Sequence, residues 1–220
     1  MTGKTGQQER AAPAKLDLKR ELKQLYNVSA RDVAVVEVPR MSFLMLDGMG
    51  DPNTAQAYKD AVEALYSVAY TIKFALKKAE GIDYAVMPLE GLWWADGGRD
   101  APRDQWHWTM MIMQPECVTG AWFARGVAQA EQKKALPALN EIRFESFEEG
   151  LAAQVMHIGP FADEGPTLER LHSFIVEQGY SFRGKHHEIY LSDPRRTAPE
   201  KMRTILRQPI TRASSNGASQ

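Results

Sequence analysis

The stretch Val33-Ala34-Val35-Val36-Glu37-Val38-Pro39-Arg40-Met41-Ser42-Phe43-Leu44-Met45-Leu46 is followed by the turn cluster Asp47-Gly48-Met49-Gly50-Asp51-Pro52-Asn53. It decides the fold because a second copy of its pattern occurs later in the chain. Val33–Val38 and Ser42–Leu46 are β-rich runs separated by Pro39-Arg40, which predicts a hairpin. Asn53 or Thr54 is then placed to cap a helix. In that helix Tyr58, Ala61, Val62, Leu65, Ala69, Ile72 and Leu76 form one apolar stripe with a period near 3.6, and Glu80-Gly81 ends it. Tyr84–Ala95 and Trp106–Gln114 read as two strands around the polar loop Asp96–Gln105.

The second half repeats this order. Glu141–Phe147 and Leu151–His157 predict a hairpin, Ile158-Gly159-Pro160 a turn, and Thr167–Gln178 a helix. Lys185–Ser192 and Lys201–Gln208 predict two further strands. Gly50 and Gly159 occupy matching positions, and Ile112-Met113-Gln114-Pro115 echoes Leu206-Arg207-Gln208-Pro209. The expected class is α+β: duplicated β-β-α-β-β units forming antiparallel sheets, with helices on one face and a ligand cleft between the two halves. The repeats span about 31–115 and 139–210, and a helical segment at Thr119–Lys134 joins them in a single domain, 15–210. Lys15–Asn27 predicts a short amphipathic helix. Residues 1–14 and 211–220 read as disordered tails.

On the strand His186-His187-Glu188-Ile189-Tyr190-Leu191-Ser192, side chains alternate. Ile189 and Leu191 are expected under the helix. His186, Glu188 and Tyr190 then share the opposite face, on the cleft wall. A solvated strand face is the plainer alternative. In Leu89-Glu90-Gly91-Leu92-Trp93-Trp94-Ala95-Asp96, the apolar face of Leu89, Gly91, Trp93 and Ala95 suits the helix side. Glu90, Leu92 and Trp94 share the other face, and the repeat sets Glu90 opposite Glu188. One of Trp93 and Trp94 is core and the other lines the cleft, with Trp94 the better fit. Trp106 and Trp108 add aromatic surface. Tyr66, Tyr70 and Phe74 form a ridge at four-residue spacing, which serves either packing or a planar ligand.

Other chemistry finds little support. Gly48-Met49-Gly50 lacks the further glycine and lysine of a phosphate loop and the spacing and terminal glutamate of a calcium loop. His186-His187 diverge on a strand and have no second ligand pair, so no metal is expected. Cys117 lacks an activating neighbour, no nucleophile elbow occurs, and no cofactor is expected.

The 220 residues carry 27 Lys+Arg against 28 Asp+Glu, a formal net charge of −1 that gives no bulk attraction to nucleic acid or anionic membrane. Apolar residues make up 44% and charged residues 25%, ordinary for a globular chain. No run approaches the ~18 apolar residues that span a bilayer, and Met1–Lys15 lacks the apolar core of a signal peptide. One cysteine excludes an intrachain disulfide, and a cytoplasmic location is expected.

Three runs carry a resemblance: Asp47-Gly48-Met49-Gly50-Asp51-Pro52-Asn53, Met87-Pro88-Leu89-Glu90-Gly91-Leu92-Trp93-Trp94, and His187-Glu188-Ile189-Tyr190-Leu191-Ser192-Asp193-Pro194. Over about Leu16–Ile210 the chain resembles the GyrI-like (gyrase-inhibitor-like) small-molecule-binding family, in a standalone bacterial branch. The resemblance implies a ligand cleft between two halves, with Glu188 in it and aromatic side chains around it. Related members are effector-binding domains of transcription activators, drug or toxin binders, and hydrolases that open cyclopropane rings of genotoxic compounds. With no DNA-binding domain in this chain, the activator role is not expected.

The first expectation is a binder of planar hydrophobic, often cationic small molecules, through Glu188, Tyr190, Trp94, Glu90, Trp93, Trp108 and Tyr66. The second is a detoxifying hydrolase of cyclopropane-containing DNA alkylators. There Glu188 would position or activate water, and Tyr190 would donate to the developing oxyanion. A protein-interaction module is the third. No direct nucleic-acid or membrane partner is expected, and a homodimer is compatible with the sequence.

Overall fold

The computed structural model describes residues 14–98 and 101–213. The tail expectations therefore fall mostly outside the described residues. Within them, β1 (Ala14–Leu16) already holds Ala14, and the last strand runs on through Thr211 and Arg212.

The chain continues through α1 (Leu18–Glu21), α2 (Lys23–Tyr26), β2 (Ala34–Met49), α3 (Gln56–Glu80), β3 (Ile82–Tyr84), β4 (Leu89–Trp94) and β5 (His107–Gln114). It then forms α4 (Gly120–Lys133), β6 (Arg143–Ile158), α5 (Gly165–Glu177), β7 (Tyr180–Phe182), β8 (His186–Tyr190) and β9 (Arg203–Arg212). The class is α+β, and the antiparallel sheet follows the order β6-β2-β5-β4-β8-β9, with β7 on the edge of β9. Pairing of β6 with β9 closes it into a barrel. A small parallel pair, β1 with β3, lies beside it.

Neither expected hairpin forms. β2 and β6 are single strands of 16 residues each, and they pair antiparallel with one another from Ala34↔Gln154 to Met45↔Arg143. Pro39-Arg40 offers no residue suited to the positive φ of a tight hairpin turn, and no described non-glycine residue adopts one. The chain bends there without reversing. Opposite the bend, Gly150 at φ 70 exchanges the strand's inward side. Before it, Glu149 reaches the buried Arg207; after it, Gln154 does, while Ala153 and Val155 turn outward to Leu171 and Ile175 of α5.

The duplication shows in the two glycines. Gly50 and Gly159 both take positive φ, 115 and 141. Each donates its N–H to the residue just before the partner strand, Trp106 O at 2.8 Å and Met202 O at 3.0 Å.

The α3 stripe buries Ala61, Leu65, Ala69, Ile72 and Leu76, and Gly81 closes the helix in the left-handed conformation. The residue at its N-cap position is Ala55; neither Asn53 nor Thr54 caps it, because Asp51 Oδ1 binds Asn53 N and Nδ2 in a turn of its own. Thr119 caps α4, and Gly126 lets that helix approach Ile72 of α3, where a Cβ would lie 2.4 Å from its Cγ1. The expected helix over Lys15–Asn27 is broken into β1, α1 and α2, and the expected strand Tyr84–Ala95 is interrupted after β3.

α3 lies over β2 and β5, and α5 over β6 and β7, on the outer face of the barrel. The strands between these pairs, β4 and β8, form the seam between the two halves. The face turned away from the helices is not an open cleft: closure makes it an interior, filled by Met111, Ile189, Ile205 and a set of charged side chains. The other side of the seam is the helix-bearing one, between α3 and α5.

Gly48 pairs with Trp108, whose ring lies flat over it. A Cβ on Gly48 would sit 2.1 Å from the ring. Gly48→Ala is expected to lower stability by ~1–3 kcal/mol through overpacking. Urea unfolding measures this, and an unchanged midpoint would contradict the Trp108 packing.

Candidate functional site

Register separates the predicted site residues into two groups. Across β4 and β8, Gly91 pairs with Glu188 and Glu90 with Ile189. Residues opposite one another share a face. Glu188, Tyr190 and Trp93 therefore lie on the outer, helix-bearing face, whereas Glu90 and Trp94 lie on the other. Three expectations are corrected: Glu90 does not face Glu188, Trp93 rather than Trp94 accompanies it, and Ile189 points into the barrel rather than under a helix. Alternation on β8 is as expected, but its sides are reversed, because a closed barrel has an apolar interior of its own to receive Ile189.

On the outer face, Tyr190 Oη donates to Glu188 Oε2 at 2.9 Å and accepts from Trp93 Nε1 at 3.0 Å. His186 Nε2 lies 3.5 Å from Glu188 Oε1. Gly91 makes this approach possible, since a Cβ there would meet Trp93 Nε1 at 2.8 Å and Tyr190 Oη at 3.1 Å. Tyr58, at the start of α3, stacks on Trp93 with centroids 6.1 Å apart and meets Trp108 edge-on at 5.4 Å. Phe161, in the 3-10 turn Phe161–Asp163 ahead of α5, meets the Tyr190 ring edge-on at 5.6 Å and is 43% exposed. The Glu188 side chain keeps 17% of its surface open to solvent. Burial, then the Glu188 charge, pushes the Tyr190 hydroxyl well above the ordinary phenol range, as it does that of Tyr58. Both remain neutral donors.

The carboxyl of Glu164, which immediately precedes α5, joins this group. Burial first, and then the charge of Glu188, pushes it up to about 9. Tyr58, Phe161 and Glu164 were not identified as site residues from the sequence, and His186 was placed on the Glu188 face without a role. Only the turn Ile158-Gly159-Pro160 marked the neighbourhood of two of them.

Trp108 is fully buried behind Tyr58 and forms the back wall. Tyr66 is half-buried two turns further along α3, stacked on Tyr70, which stacks on Phe74. Tyr70 and Phe74 are about half exposed, so this end of the ridge faces solvent and does not enclose Glu188. Trp94 stacks on His107, and the chain's own Lys185 ammonium sits 3.2 Å above its ring centroid. The aromatic face expected to hold a cationic ligand thus already holds a cation.

Inside the barrel, Glu90 accepts from Tyr26 Oη at 2.8 Å and pairs with His187 Nε2 at 3.0 Å. His187 Nδ1 meets Glu149 at 3.0 Å, and Arg207 binds Glu149 Oε2 at 3.2 Å, Gln154 Oε1 at 2.9 Å and the Leu25 carbonyl at 2.9 Å. Burial opposes charge on His187, but Glu149 and Glu90 outweigh it and raise the imidazole to about 9. Burial opposes charge on Glu149 too, and His187 and Arg207 hold it down at about 2. Among the described residues no group of three or more His, Cys, Asp and Glu side chains is arranged to hold a metal, and no helix is long and apolar enough to cross a membrane. Burial raises the Cys117 thiol, which disfavours the reactive thiolate.

An α+β barrel with a carboxylate set among aromatic rings at the seam between two repeats defines a small-molecule-binding class of protein. The model of the GyrI-like small molecule binding domain matches residues 31–210, and the chain belongs to that family. It is similar to a crystal structure of a conserved protein of uncharacterised function from Listeria innocua, with 41% identity, TM-score 0.83, and 89% of this chain and 100% of that one covered. It is also similar to the crystal structure of a hydrolase from Listeria innocua, with 40% identity, TM-score 0.78 and the same coverage. The EcmrR C-terminal domain shares the fold at 11% identity and TM-score 0.51, over 83% of this chain and 98% of that one. No curated protein matches.

The raised His187 has a measurable consequence. Its contribution to stability is fully present below the unfolded value of 6.5 and is lost as pH rises through about 9. Glu149 contributes above its unfolded value of 4.5 and loses this as pH falls toward 2. Glu164, raised from 4.5, also weakens the fold as pH rises, so Glu164→Gln protein isolates the histidine. In that background, unfolding free energy is expected to fall between pH 6.5 and 9 by at most about 1.4 kcal/mol per pH unit. A flat profile from urea titrations would contradict a charged His187.

Proposed function

We propose that this protein is a hydrolase of planar hydrophobic compounds, adding water to a strained ring such as a cyclopropane in a DNA-alkylating molecule. The observation that supports it is the relay Trp93–Tyr190–Glu188 at a partly open seam. Its 40% identity to a hydrolase over 89% of the chain agrees with that reading. Trp93 fixes the Tyr190 oxygen, so the phenol's one proton points at Glu188 and orients the carboxylate. The carboxylate's other oxygen, 3.5 Å from His186 Nε2, receives the proton of an incoming water. Tyr58, Trp93 and Phe161 supply the aromatic faces against which a planar substrate packs. A strained ring brings its own driving force, so one oriented base in a desolvated seam suffices for attack, without a nucleophile–histidine pair.

Binding alone is the second reading, favoured by the exposed Phe161 ring packed on the tyrosine that bonds Glu188, an arrangement that suits a flat cation. Incubation with a cyclopropane-containing DNA alkylator, followed by mass spectrometry, separates the two. The expected result is a product heavier by one water, formed about 100-fold more slowly by Glu188→Gln. Recovery of unaltered compound bound to both proteins would replace the hydrolase with a binder.

A further inference from the structure

Glu164 is only 7% exposed, yet none of the ion pairs among the described residues includes it. It occupies the N-cap position of α5, where a side chain ordinarily accepts a backbone N–H, but its carboxyl makes no such bond. Its Oε1 is buried with no hydrogen-bond partner. A buried polar atom left unpaired costs stability, and a carboxyl serving only the fold would be expected to find an acceptor or a cap. The turn that carries it is closed by the Glu164 N–H bond to the Phe161 carbonyl at 3.3 Å and packs on β8 through the Phe161–Tyr190 contact. The group whose charge it feels is Glu188.

We propose that Glu164 is the second carboxyl of this site, the proton donor that works opposite Glu188 as proton acceptor. This rests on the hydrolase reading above. Two neighbouring carboxylates do not both ionise readily in a desolvated site, so the pair holds one proton. Glu188 accepts a hydrogen bond from Tyr190, whereas the buried Glu164 Oε1 has no partner, and burial raises the Glu164 carboxyl to about 9. A buried carboxyl held neutral is suited to donate a proton, and a partly open one oriented by a tyrosine is suited to accept one. The other titratable groups around the pair are His186 and Tyr190 on β8 and Tyr58 on α3. His157 of β6 is engaged by Thr167 Oγ1 and the Pro160 carbonyl.

The step balances with water as the sole co-reactant. Glu188 takes one proton from the water, whose oxygen bonds to the ring carbon. The ring C–C bond breaks, and its electron pair passes into the conjugated system to end on a carbonyl oxygen. Glu164 delivers its proton to that oxygen. The product contains one added water, and the pair has exchanged its proton internally, so transfer from Glu188 back to Glu164 resets the site.

The test combines turnover with a readout independent of it. In protein labelled with 13C at the glutamate carboxyl carbons, Glu164 is expected to titrate near pH 9, and in Glu188→Gln to titrate at lower pH. With the alkylator, Glu164→Gln is expected to lose about 100-fold in kcat. It should also lose the alkaline limb of the pH–rate profile, while keeping affinity for a planar cationic dye within about twofold, because Gln copies the neutral acid. Titration of Glu164 in the ordinary carboxylate range, or wild-type turnover by Glu164→Gln, would overturn the proposal and leave the hydrolase reading standing. Absence of any water adduct with wild-type protein would overturn both.

Discussion

The barrel depends on four charges buried along its axis: Glu90, Glu149, His187 and Arg207. Each is almost fully removed from solvent, and each has an opposite charge within 3.2 Å. Alone, any of them would be prohibitively costly to bury; together they are neutral and hydrogen-bonded. They sit on β4, β6, β8 and β9, so the network spans both repeats, and Tyr26 and the Leu25 carbonyl tie α2 into it. The network also dictates what happens outside. Once His187 points inward, Glu188 must point outward, and the same strand supplies one charge to the interior and the next to the seam.

Much of this architecture was legible in the sequence. The α3 stripe, its Gly81 terminus, the helical segment that became α4, the α5 helix and the two-fold order of elements follow from periodicity and turn signals, which are local properties. The apolar side of β4 was also legible, because Leu89, Gly91 and Trp93 leave little choice. The long strands were not. Pro39-Arg40 interrupts the apolar pattern of β2, and a local reading cannot separate a bend from a reversal when the partner strand lies more than a hundred residues away. The sides of β8 were not legible for a related reason. Alternation reports two faces, but in a closed barrel both are buried, and Ile189 satisfies an interior as well as it would a helix.

Glu90 shows the same limit at the level of chemistry. A glutamate on an apolar strand reads as a ligand group, and the fold instead uses it to neutralise His187. Glu164 shows the converse. Before a helix, in Asp163-Glu164-Gly165-Pro166, an acidic residue reads as a capping or dipole-stabilising group. In the fold it makes no cap bond, and its Oε1 is buried without a partner behind the turn that packs on Tyr190. In both cases the residue type is visible in the sequence, and the direction of the side chain belongs to long-range closure.

This division of charge makes the seam separable from the barrel. Glu188 bonds Tyr190 and lies near His186, and none of the four axial charges is within that set. Its isosteric replacement therefore leaves the interior ion pairs intact. The aromatic groups on the seam are less independent. Trp93 and Trp108 serve as the wall against which Tyr58 packs as well as the floor of the site. Gly91 and Gly48 admit them only by lacking a Cβ. Replacing Glu188 thus spares the interior ion pairs, whereas aromatic or glycine substitutions disturb the packing on which the seam is built.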